Sequence, residues 1–94
     1  MKVKFEFFEE VDLVDAPEGW RWVGTIGHRI KHVLLWQMVT TLAPQAWGGI
    51  CMHESGVSAG HTPAGGEYQL LGKFNDTRAA SVALIHAMGL EVQS

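Results

Sequence analysis

The chain has 94 residues and a single cysteine, so its fold cannot be held together by disulfide bonds within the chain. Its net charge of −3 argues against a nucleic-acid partner. The length favours one domain over residues 1–94, and 47% hydrophobic against 18% charged residues indicates a globular core. So little charge on so small a chain leaves apolar surface uncovered, which predicts a homo-oligomer, with a dimer favoured, and allows a protein partner.

The N-terminal part of the chain is predicted to contain two strands separated by a loop. Apolar and polar residues alternate over residues 2–9, which predicts a strand with one buried face. Residues 10–19 are acidic and end in proline and glycine, which predicts a loop. Trp20 to Val23 is then predicted to be a short strand. No apolar signal segment develops at the start, so we expect a cytoplasmic protein without membrane contact.

The longest segment without glycine or proline, residues 28–42, is predicted to be the core helix. Its apolar residues recur at i, i+4 spacing, which is typical of a buried helix face. The ladder consists of Ile30, Leu34, Met38 and Leu42. A second row at the same spacing, His28, His32 and Trp36, follows one edge of that face. Pro44 is expected to end the helix.

The second half of the chain is predicted to form strands and one more helix. Residues 47–57 indicate a strand, and residues 67–74 indicate another with a bulge at Gly72. Between them, residues 55–66 hold four glycines and one proline, which predicts a long flexible loop of the kind that often carries function. The final helix is predicted over Thr77 to Met88.

Local capping signals support this last helix, with Asn75 or Asp76 as its N-cap and Gly89 as its C′ residue. A terminal strand is expected near residues 90–93. The firm elements give the order β-α-β-β-α-β, which predicts an α+β fold of ferredoxin-like βαββαβ type with two helices on one face of an antiparallel sheet. The alternative is a ββαββα arrangement, with a full strand at Trp20 and no terminal strand.

The histidines are the main candidates for a ligand site. His28 and His32 share one face of the predicted helix at a spacing that suits metal ligands, and His53 and His61 are candidate further contacts. The neighbouring cations Arg29 and Lys31 oppose a bound metal ion, so we predict no metal site and no cofactor. Binding of a small molecule, an anion or a metal by the 55–66 loop and the His28/His32 row stays the alternative function.

A protein interface is the leading functional hypothesis. Trp20, Arg21, Trp22 and Trp36 are predicted contacts, because tryptophan and arginine dominate the energetics of interfaces. Cys51 lies two residues from His53, but no orienting acid is identifiable, and a lone cysteine is usually a small buried hydrophobic residue. Without a catalytic motif, the chain is predicted to be a non-enzymatic, self-associating interaction module. In size and in lacking a catalytic signature it resembles small accessory proteins of phages and mobile elements.

Overall fold

A computed structural model describes residues 2–6, 8–27, 30–37 and 46–92 of the chain, and within these residues most of the structure is β. The elements, in chain order, are β1 Lys2–Phe5, β2 Phe8–Asp12, β3 Trp20–Gly27, β4 Ile30–Gln37, β5 Trp47–His53, β6 Gly56–Thr62, β7 Gln69–Phe74 and the helix α1 Thr77–Ala87. No helix among these residues is long and apolar enough to cross a bilayer.

Strands β3 to β7 form a five-stranded antiparallel sheet in which each strand pairs with the next one along the chain. The central strand is therefore β5, and β3 and β7 are the edges. The register between β6 and β7 shifts opposite Leu70 and Gly72, and Gly72 has a φ of +130°, which agrees with the bulge predicted there. Strands β1 and β2 form a separate antiparallel pair.

Helix α1 packs on one face of the sheet, across β5, β6 and β7. Its start is fixed by Asp76, whose carboxylate accepts a hydrogen bond of 2.7 Å from the backbone N–H of Ala79. Past its end, Gly89 has a φ of +74°, the left-handed conformation expected of a C′ glycine. The buried core joins the helix to the sheet and consists of Val11, Leu13, Val14, Val33, Leu35, Ile50, Ala59, Ala80, Leu84 and Ile85.

The N-terminal segment (residues 11–16) covers part of the helix-bearing side of the sheet and is held from two directions. The backbone N–H of Val14 donates to the hydroxyl of buried Ser81 on α1, at 3.1 Å. The indole N–H of Trp22 on β3 donates to the carbonyl of Val14, at 2.9 Å. The segment predicted as a loop is therefore an ordered bridge between the helix and an edge strand.

The two-helix architecture predicted from the sequence is wrong, and so is the ferredoxin-like order. Residues 30–37 of the predicted first helix form β4, which pairs with β3 on one side and β5 on the other; residues 28–29 and 38–45 lie outside the described residues. The i, i+4 ladder misled because residues four apart also share one face of a strand. Both faces of β4 carry apolar side chains, so the period-two alternation is hidden.

Two further expectations are corrected by the second half of the sheet. The predicted 55–66 loop contains β6, which lies between β5 and β7. Its small residues reflect close approach on both faces, since Ala59 is buried under the helix and Gly60 lies beneath the ring of Tyr68. Leu90 to Val92 form no strand. The alternative ββαββα order has the full strand at Trp20 but shares the same wrong first helix.

Gly48 on β5 sets how closely α1 approaches the sheet. A Cβ at this position would lie 2.6 Å from Leu84 Cδ1 and 2.7 Å from Met88 Sδ, so a larger residue fits only if these side chains or the helix move. We expect Gly48→Ala to lower the free energy of unfolding by about 1–3 kcal/mol, the usual cost of overpacking. Urea denaturation measures this change.

Gly27→Ala on β3 is the matched control for that experiment. A Cβ there meets its nearest neighbour, the carbonyl oxygen of Ile30, at 3.5 Å, an ordinary van der Waals distance. The control is expected to be neutral or to stabilise the fold by up to about 1 kcal/mol. Equal destabilisation by the two substitutions would contradict the close packing at Gly48.

Candidate functional site: the open face of the sheet

The face of the five-stranded sheet opposite α1, called the open face below, has no other element packed on it in the described part of the chain. Three of the four large hydrophobic side chains exposed among these residues belong to it: Ile30 at 37%, Tyr68 at 53% and Leu70 at 67% exposure. The half-buried residues Val23, Leu34 and Trp47 share it. A one-layer sheet covered on one face thus presents a broad apolar surface on the other.

A polar row crosses the open face on all five strands. The register aligns one residue from each strand in the order Thr25, His32, Cys51, Ser58 and Lys73. The neighbouring row has apolar residues on β3, β4 and β7 and a glycine on each of β5 and β6. Its members, from β3 to β7, are Val23, Leu34, Gly49, Gly60 and Leu70. Both glycines are buried, because the side chains of Leu34 and Trp47 lie over Gly49 and the ring of Tyr68 lies over Gly60.

Within this row, Cys51 and His32 form a side-chain contact between two groups that can react or bind a ligand. Cys51 Sγ lies 3.3 Å from His32 Nδ1. The tautomer of His32 decides which of the two atoms donates this hydrogen bond. Burial raises the pKa of the Cys51 thiol, because desolvation disfavours the thiolate. A cysteine nucleophile needs the opposite, a depressed thiol pKa.

Tyr68 lies across the glycine region beside the polar row. A Cβ at Gly60 would overlap the Tyr68 hydroxyl, so the ring rests directly on the backbone of β6. The rings of Tyr68 and Trp47 are 6.2 Å apart between centroids and tilted by 30°, within the range of favourable aromatic pairs. Desolvation, and secondarily the nearby Cys51, raise the pKa of the Tyr68 hydroxyl.

The predicted Trp-Arg-Trp contacts divide between the two faces of the sheet. Trp20 and Trp22 are partly buried and pack against the hydrophobic core on the helix side. Arg21 is exposed and, by strand alternation, belongs to the open face. Trp36 is in β4 opposite Arg21, but its side chain lies outside the described residues. As partner contacts, all four stay predictions.

Of the predicted histidines, the three that the structure describes (His32, His53 and His61) are not brought together. His32 is in the polar row, and His28 lies outside the described residues. His53 ends β5, shares a hydrogen bond with Ser55, and lines an open depression of about 390 Å³ together with Ile30 and Glu54. His61 is buried on the opposite, helix side, where it lines a cavity of about 210 Å³. Among the described residues no three metal-ligating side chains converge on one point.

Comparison with known proteins adds no relative: no family model, curated protein or solved structure matches this chain. The open face therefore has to be interpreted from its own residues. Sequence reasoning missed Tyr68, Trp47 and Leu70 as surface residues and took Cys51 for a buried one. No local signal identifies them, because their common face depends on a register between strands far apart in sequence.

Tyr68 is the only tyrosine, so the ultraviolet absorbance of phenolate reports on it alone. We expect its pKa to lie above the ordinary value of about 10. Gly60→Ala should return the pKa towards that value, because the added methyl group lifts the ring off the sheet and restores its solvation. Cys51→Ser should lower it less, since the Cys51 charge is the smaller cause. A pKa of about 10 for Tyr68 in the unsubstituted protein would contradict the placement of its ring on the backbone of β6.

Proposed function

We propose that this chain is a non-enzymatic interaction module that self-associates through its open face, which covers the same face of a second copy. The observation that carries the proposal is the gathering of Ile30, Tyr68 and Leu70, three of the four exposed large hydrophobic residues of the described chain, on one uncovered sheet face. Tyr68 and Leu70 lie with Leu34 on one side of the polar row, and Ile30 lies on its other side. Exposed apolar patches are typical of association surfaces.

The size of the open face suits a dimer. Five strands at about 4.8 Å spacing and lengths of six to eight residues make a face of roughly 24 by 23 Å, or about 550 Å². Two such faces bury about 1,100 Å² together, near the lower bound of specific protein interfaces. A second copy has the same dimensions and the same apolar pattern, so it covers the whole face without leaving a rim of exposed hydrophobic residues.

The chemistry of the face also favours association over catalysis. The depression at His53 is open to solvent, and it is bordered by both Lys31 and Glu54, so it has no single charge preference. The raised pKa of the Cys51 thiol keeps this residue protonated, which opposes a role as nucleophile. Aromatic residues such as Trp47 and Tyr68 contribute large contact area at little cost in side-chain entropy, which is what an interface needs.

Sedimentation velocity over a range of protein concentrations tests the proposal. We expect a concentration-dependent dimer, and we expect Leu70→Glu to raise its dissociation constant at least about tenfold, because a fully buried leucine contributes about 1.5–3 kcal/mol. The substitution leaves the core untouched, since the Leu70 side chain is 67% exposed.

Ile26→Glu is the matched control. Ile26 is 50% exposed but belongs to the helix-bearing side of β3, so its substitution adds the same charge off the open face. The control should dimerise like the unsubstituted protein. A monomer at every concentration, or equal weakening by the two substitutions, would refute the open face as the site of self-association.

A further inference from the structure

The Cys51–His32 pair lies near the middle of the open face. Cys51 is on β5, the third of five strands, in one of the two open-face rows whose register runs across all five strands. Closed dimers have a two-fold axis, and the overlap of two identical faces is greatest when that axis passes near their centre. In such a dimer the pair from one copy faces the same pair from the other.

The two atoms of the pair are spaced like ligands of one metal ion. Cys51 Sγ and His32 Nδ1 are 3.3 Å apart. In a tetrahedral zinc site with Zn–S of about 2.3 Å and Zn–N of about 2.0 Å, the sulfur and nitrogen atoms lie about 3.5 Å apart. The side chains therefore need to move by only a few tenths of an ångström to bind an ion at both atoms.

We propose that two copies of the chain bind one Zn²⁺ ion between their open faces, through Cys51 Sγ and His32 Nδ1 of each copy. This inference rests on the proposed self-association, because one chain supplies half of the ligands. Among the described residues no third metal-ligating side chain joins the pair, so within this part of the chain a four-ligand site requires a second copy.

Charge and distance both suit a zinc ion at this place. On binding, each Cys51 releases its thiol proton to solvent, and two thiolates with two neutral imidazoles and one Zn²⁺ give a site without net charge, which limits the cost of burying the ion. Packed sheets are about 10 Å apart, so an ion midway between them lies about 5 Å from each, a distance that a cysteine side chain and one Zn–S bond of about 2.3 Å can span.

The experiment starts from protein freed of metal with a chelator and titrated with Zn²⁺, or with Co²⁺ as a spectroscopic substitute. We expect one ion per two chains, a dimer at least tenfold tighter than without metal, and the thiolate-to-cobalt absorption of a tetrahedral site. Cys51→Ser and His32→Gln should each abolish that absorption and the tightening. The neighbouring open-face variant His53→Gln should retain both. Far-ultraviolet circular dichroism checks that each variant is folded.

The remaining outcomes separate the zinc site from the proposed function. One ion per monomeric chain, or a cobalt spectrum unchanged by Cys51→Ser, would overturn the shared site. A metal-free dimer that binds no ion would overturn the zinc inference and leave self-association through the open face standing. A chain that is monomeric with and without zinc would overturn both.

Discussion

The close packing of α1 on β5 is the contact on which the rest of the structure depends. Gly48 lets Leu84 and Met88 lie almost on the backbone of the central strand, so one short helix seals the middle of the sheet. The N-terminal segment, tied to the helix through Ser81, covers part of what remains on that side. Within the described chain this leaves nothing to cover the other face. The apolar open face is thus a direct consequence of a sheet with a single covering layer.

The helix α1 and the strands β3, β5 and β7 were predicted from the sequence, whereas β4 was taken for a helix and β6 for a loop. The N-cap at Asp76 and the glycine at position 89 fix α1 without reference to the rest of the chain. The sequence predicted Gly89 and limited the N-cap to Asn75 or Asp76. β4 is different, because its apolar spacing fits a helix and a strand equally, and only hydrogen bonding to β3 and β5 decides between them. Glycines in β6 were taken for flexibility, whereas the structure uses them for close approach.

The candidate site shows the same division. His32 was singled out from the sequence, but for its spacing from His28 on a helix that does not form over residues 30–37. Its actual neighbour, Cys51, is 19 residues away and comes beside it only through the β4–β5 register. Tyr68 reaches the same face from outside the strands, by folding back over Gly60. No periodicity encodes such cross-strand neighbours, since they arise when hydrogen-bonded strands are aligned.

The central claim is that the open face of one copy covers the open face of another. Isotope-filtered nuclear Overhauser spectroscopy on a mixture of ¹³C-labelled and unlabelled chains tests this most directly, because it detects only contacts between copies. We expect intermolecular signals among Leu34, Tyr68 and Leu70. Intermolecular signals from Val82 and His86 on α1, with none from the open face, would contradict it.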